Sequence, residues 1–248
     1  MSLSILWFTF FCSATVKFLL KHTEFHLMPT LNPDGYSRSR PNQLDVPHCV
    51  HKSEGRRNAN GVDLNRSFPD IWDKRFNKTN KPDPEIPELQ PEIRAMMKWV
   101  LEENFVLSAN FHGGAVVASY PYDSVNPSLV TDEVLRNQGT PILQGIKSLS
   151  PDMKMYELLA STYAKNNQPM NLQNELERCI QGTGGPFRGG ITNGADWYNV
   201  PGSMQDFVYH FTNSMAITLE ISCCKHPHHQ ELAKVGHTMT PSSKVSSL

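Results

Sequence analysis

Hydrophobic and polar positions fall into blocks along this chain, and the blocks carry different periods. Behind Pro91, a residue suited to the first turn of a helix, Ile93, Met96, Met97, Val100 and Leu101 recur at helical spacing. The spacing predicts a helix there. Phe105–Phe111 (FVLSANF) reads as a strand entering the core, and Ala115–Tyr120 as another. Met153–Ala164 places its apolar residues on one helical face. Ala216–Ile221 (AITLEI) is a short apolar run whose β-branched residues favour a strand. Phe25–Met28 reads as a buried strand closed by Pro29, and Asn32-Pro33-Asp34-Gly35 as a turn. Tyr36–Val62 and Asn77–Pro87 are polar and read as long loops, which in a compact domain often carry function. Strand, helix and strand in succession predict an α/β fold with parallel pairing.

Composition narrows the function classes. The 248 residues, 39% of them hydrophobic, can fill one sizeable α/β domain or two small ones. A formal net charge of −1 argues against a nucleic-acid binder, which would carry a basic surplus on one face. The five cysteines are Cys12, Cys49, Cys179, Cys223 and Cys224; no C-x-x-C pair occurs, so a zinc ribbon is excluded. An oxidising compartment would allow one or two disulfides. Cys223 and Cys224 are expected to bond elsewhere rather than to each other, because bridging neighbours strains the geometry. Ser2–Leu20 is apolar but interrupted by Ser, Thr and Lys, and is marginal for a membrane span. A signal-like segment, a buried helix and an incidental apolar run all fit it, and nothing here establishes membrane association. Residues 1–15 read as a divergent apolar N-terminus and 236–248 as a disordered tail.

Three features could carry chemistry. His112 ends the strand Phe105–Phe111 and is followed by Gly113-Gly114, at the strand end where α/β sheets gather ligands. It is a candidate metal ligand, though a lone histidine is more often structural. Glu220 interrupts an apolar strand. Buried, it would have a raised pKa suited to a general base; by simple alternation it would instead face solvent with Thr218. The stretch Gly55–Arg66 (GRRNANGVDLNR) gathers arginines and amides on a loop, and arginine forks bind carboxylates in bidentate fashion.

Four separated segments together resemble the M14 zinc carboxypeptidases, in the regulatory branch of carboxypeptidases N, E, M and D. They are FHLMPTLNPDGY (Phe25–Tyr36), GRRNANGVDLNRSFPD (Gly55–Asp70), FVLSANFHGGAVVASYPYD (Phe105–Asp123), and GGITNGADWYNVPGSMQDFVY (Gly189–Tyr209) with ITLEISCCKHP (Ile217–Pro227). The resemblance implies an α/β fold with a partial mixed central sheet and flanking helices, an incomplete version of the zinc-carboxypeptidase fold. It implies a peptidase domain over residues 16–235, truncated at its N-terminus, that releases C-terminal Arg or Lys from peptide or protein partners in the secretory pathway or outside cells. By motif, His112 is similar to a zinc ligand, and Glu220 to the general base that serves the metal-bound water. Arg56 resembles the arginine that holds the oxyanion, a donor worth about 3 kcal/mol of barrier. Asn65 and Arg66 resemble the pair that grips the substrate carboxylate, and Tyr198 the tyrosine that closes over it. Asp123 and Gln205 resemble the floor of the pocket for the terminal side chain.

The resemblance also implies a Zn2+ ion held by a His and a Glu from an H-x-x-E segment plus a later His. That segment is expected upstream of Phe25, where no such string occurs. The two strings present, His51–Glu54 and His228–Glu231, stand at the wrong places in the order of motifs. One predicted ligand, His112, remains, so the same residues also fit a non-catalytic protein that binds peptide C-termini. Ser203 stands where the family has a Gly, and a strained turn is expected there. Ser214 and Ala216 replace a Cys and a Glu, so one disulfide usual in the family is not expected.

Overall fold

In the computed structural model of the chain the described residues are 14–39, 55–72, 88–131, 145–171 and 187–227. Four strands form one mixed sheet: β1 (Leu107–His112), β2 (Ala115–Tyr120), β3 (Ile191–Asn193) and β4 (Met215–Ser222), in the order β1-β4-β2-β3. β1 runs parallel to β4, β4 antiparallel to β2, and β2 parallel to β3. The parallel pairing suggested by strand, helix and strand is corrected for β2 and β4, and the sheet is mixed as the family resemblance implied. β1 and β2 are joined through Gly113-Gly114 and do not pair; β4, from far along the chain, lies between them.

The helices are α1 (Ala14–His22), α2 (Pro33–Ser39), α3 (Pro91–Glu102), α4 (Met153–Asn166), α5 (Gln168–Asn171), α6 (Gly194–Trp197) and α7 (Met204–Phe211). β4 alternates its side chains between two cores, as a strand must. Ala216 joins a cluster built from Ile93, Met96, Met97 and Val100 of α3 and Phe207 and Val208 of α7. Leu219 joins the other cluster, with Tyr156, Ala160 and Ala164 of α4. Helices thus cover both faces of the sheet, and each large apolar side chain they bury is worth about 1.5–3 kcal/mol. Glu220, two and four residues beyond Thr218 and Ala216, shares the α3/α7 face.

The periodicity of α3, α4, β2 and β4 is borne out. Three expectations are not. Phe25–Met28 pairs with no strand among the described residues, and Phe25, Leu27 and Met28 are exposed. A strand needs a ladder partner as well as apolar side chains. β1 does not enter the core. Among the described residues it pairs on one side only, and Leu107 and Phe111 are 60% and 52% exposed. The Asn32–Gly35 signal starts a helix rather than a simple turn: Asn32 Oδ1 accepts the Gly35 N–H at 2.9 Å, a capping bond, and α2 follows.

α1 buries no side chain, so a buried helix is excluded there. The rest of the apolar N-terminal run, residues 1–13, lies outside the described residues, as does the 236–248 tail. Among the described residues no helix is long and apolar enough to cross a membrane.

Candidate functional site

β4 and β1 bring two candidate groups together by register. His112 stands opposite Glu220 at the C-terminal ends of parallel strands. Glu220 is 9% exposed, as buried as Thr218, so the solvent-facing alternative is excluded. His112 Nδ1 lies 3.9 Å from Glu220 Oε1, too far for a hydrogen bond. Burial, reinforced by Arg56 and Arg66, pushes His112 down to about 4. The imidazole is therefore neutral at pH 7 and makes no ion pair. Burial pushes Glu220 up to about 7 against the pull of Arg56 and Lys225, and Asp123 adds to the rise. Glu220 Oε2 is buried without a hydrogen-bond partner. An orphaned buried acceptor calls for a donor from a ligand or water.

The arginine loop is organised by one residue the sequence reading missed. Asp63 Oδ2 accepts Arg56 Nε at 2.8 Å, and its Oδ1 accepts the Asn65 N–H at 3.1 Å. A single carboxylate thus sets Arg56 and starts the 3-10 turn Leu64–Arg66. The DLNR string held the signal: an Asp two residues before an amide is a common capping geometry. Asn32 steadies the same loop by donating to Gly55 O at 3.2 Å. Asn58, buried and donating to Gln90 Oε1 at 2.9 Å, ties it to the start of α3. Asn65 Oδ1 accepts the Met204 N–H at 2.9 Å, which fastens the loop to α7. Arg66 is exposed, and its guanidinium lies 6.0 Å from the centre of the Tyr198 ring. At Gly202, with φ at +76°, a Cβ would stand 2.7 Å from Arg66 O, so the loop and the α7 entrance touch backbone to backbone. The strain expected next to it is absent. Ser203 is extended, at φ −76°, and its hydroxyl caps α7.

Asp123 and Gln205 meet as expected. Gln205 Nε2 donates to Asp123 Oδ1 at 2.9 Å, and both residues are buried. Gln205 Oε1 keeps no partner. Burial pushes Asp123 up to about 6, with Ser203 and Arg66 pulling against it. Gly194, at the start of α6, lies against this carboxylate: a Cβ there would overlap Asp123 Oδ1 and come within 2.9 Å of its Cα. Gly194→Ala is therefore expected to displace Asp123 and to cost about 1–3 kcal/mol of stability by overpacking. Chemical denaturation measures that cost, and an unchanged midpoint would refute the contact.

Tyr198 follows α6 and is half-buried. Burial raises its hydroxyl pKa, Arg66 pulls it down, and Glu220 and Asp123 push it up. His112, Glu220, Arg56, Arg66, Tyr198 and Asp123 thus share one electrostatic neighbourhood. A cavity lined by Trp72, Tyr122, Asn126, Lys147 and Ser148 contains none of them.

A catalytic zinc site takes three protein ligands and leaves one position open. Among the described residues no three His, Cys, Asp or Glu side chains converge. His51 and Glu54, and His228 and Glu231, lie outside the described residues.

The comparison with known proteins decides the family. A model of the zinc carboxypeptidases, peptidase family M14, matches residues 5–242. This chain belongs to the zinc carboxypeptidase family. It is 42% identical to carboxypeptidase D of Drosophila melanogaster over 210 residues, 84% of this chain and 13% of that protein. It is 40% identical to the human carboxypeptidase N catalytic chain over 227 residues, 87% of this chain and 45% of that protein. The chain thus spans less than half the length of these curated relatives. Its fold resembles the crystal structure of thrombin activatable fibrinolysis inhibitor, with a TM-score of 0.51 and 18% identity over 87% of this chain and 48% of that one. The α/β carboxypeptidase fold expected from the motifs is thereby established.

Proposed function

We propose that this chain acts on peptide and protein C-termini that end in Arg or Lys, with the family's carboxypeptidase chemistry. The observation that carries the reading is the buried Asp123–Gln205 pair, hydrogen-bonded at 2.9 Å and left with a free acceptor on Gln205. A basic side chain supplies the donors and the charge that this floor lacks. A neutral side chain leaves a buried carboxylate unpaired and is rejected. In this reading Asn65 and Arg66 hold the terminal carboxylate, Tyr198 closes over it, and Arg56 donates to the scissile carbonyl oxygen. Glu220 takes a proton from the attacking water and passes it to the leaving amine. His112 is the one family metal ligand that the sequence motifs supply.

Cys223 and Cys224 are both disulfide-bonded, which supports an oxidising compartment and hence the secretory pathway. A second reading, binding of peptide ends without hydrolysis, is favoured by the lack of a three-donor metal cluster among the described residues. One assay separates the two. The full chain is incubated with zinc and a peptide ending in Arg, and free Arg is followed by mass spectrometry. Released Arg supports hydrolysis. Saturable binding without release supports the second reading, and a chain that does neither refutes both.

A further inference from the structure

The first turn of α7 buries a second carboxylate beside the Asp123–Gln205 pair. Asp206, one residue beyond Gln205 in the first turn of α7, is 2% exposed. Its carboxylate accepts the Asp123 N–H through Oδ1 at 2.8 Å and through Oδ2 at 3.0 Å. Oδ2 also accepts the Ser124 N–H and the Ser124 hydroxyl, each at 2.8 Å. The Asp206 N–H in turn donates to Ser203 Oγ at 3.2 Å. On the other side, the Val200 N–H donates to the Asp123 carbonyl at 2.8 Å. Asp123 is therefore held at both backbone polar groups, while its side chain is held by Gln205.

This arrangement is expensive. Two carboxylates sit buried on neighbouring segments, and burying a carboxylate is costly unless it is fully hydrogen-bonded. Asp206 is pushed up by burial and by Asp123, and the N–H and hydroxyl donors pull it back. An uncharged residue packed at this position would avoid the cost. Its charge is useful only for gathering several donors from two consecutive residues onto one side chain.

We propose that Asp206 is a positioning residue for C-terminal specificity. It fixes the Asp123–Ser124 backbone so that Asp123 Oδ1 and Gln205 form one rigid acceptor for the side chain of a C-terminal Arg or Lys. The inference rests on the reading of Asp123 as the partner of that side chain. Gln205 and Asp206 are consecutive, so one helical turn delivers both the side-chain partner and the backbone anchor of Asp123. A displacement of Asp123 by a fraction of an ångström would break the pairing with a bound guanidinium and leave contacts to the peptide's carboxylate untouched.

Calorimetry on the full chain tests this, with two peptides that differ only in ending in Arg or Leu. In Asp206→Asn the amide retains one acceptor and turns donors toward the backbone N–H groups. It is expected to lower affinity for the Arg peptide by about tenfold or more. Affinity for the Leu peptide should stay within about twofold. Ser124→Ala removes one hydroxyl donor and should lower the Arg-to-Leu ratio by a few-fold, about one hydrogen bond's worth. A folded Asp206→Asn that keeps the wild-type ratio, or loses both affinities alike, overturns the role of Asp206. If that variant lacks a cooperative melt, Ser124→Ala decides: a lowered ratio supports the role and an unchanged one overturns it. A wild-type chain that binds both peptides equally overturns the Asp123 reading and this inference with it. A wild-type chain that prefers Arg, with variants that keep the preference, overturns the role of Asp206 alone.

Discussion

Replacing Glu220 by Gln is expected to lower the rate of Arg release from a peptide end by about 10²–10⁴-fold, the usual contribution of a positioned proton-transfer group. Affinity for the peptide should hardly change. Gln keeps the shape and one acceptor but cannot take a proton. The buried, unpartnered Oε2 is the atom removed from service. Burial holds Glu220 up to about 7. The base works when ionised, so the rate should rise as pH climbs through about 7 and fall as the carboxylate is protonated below it. In Glu220→Gln that rise should vanish. Single-turnover rates across pH make the comparison. A near-normal rate, or an unchanged pH limb, would remove Glu220 from proton transfer.

Asp123→Asn should lower affinity for a peptide ending in Arg by about 100-fold or more, the effect of breaking a buried ion pair. The same change should leave a peptide ending in Leu unaffected or bound slightly better, because a buried charge facing an apolar group has been removed. The wild-type preference should also depend on pH. Asp123 is pushed up to about 6 by burial, so it is ionised above that value and protonated below it. Arg-peptide affinity should therefore be full above neutrality and fall as pH drops through about 6, while Leu-peptide affinity stays flat. Gly194→Ala, which crowds the same carboxylate, should reproduce part of the loss. Equal loss of both peptides in Asp123→Asn would mean that Asp123 supports the fold and not selectivity.

Local pattern made much of this molecule legible. α3 announces itself through Pro91 and the Ile93, Met97 and Val100 stripe, because a helix buries side chains at its own period. β4 is legible for the same reason, and the motifs named His112, Glu220, Arg56, Arg66, Tyr198 and Asp123 but not Asp63, which orders the arginine loop. What local pattern could not carry was pairing. Phe25–Met28 has a strand's side chains but no partner strand among the described residues. β1 has core-like residues, yet among the described residues it stands at the sheet edge with Leu107 and Phe111 exposed. The burial of Glu220 was open from alternation alone, because helices pack on both faces of the sheet and neither face of β4 is simply the solvent one. Asp206 was least visible. Its bond to Asp123 joins residues 83 apart in sequence, and no periodicity reports a contact of that range. Gly194 belongs with it, since its importance lies in what a side chain would strike.

In the proposed function Arg66 and Asn65 take a peptide's free end while Asp123 takes its basic side chain. Calorimetry with one Arg-terminated peptide, as the free acid and as the C-terminal amide, addresses this most directly. Amidation removes the carboxylate and leaves the guanidinium, so affinity should fall by about tenfold or more, the loss of a charge-assisted bidentate contact. Equal affinity for acid and amide would contradict recognition of a C-terminus at this site.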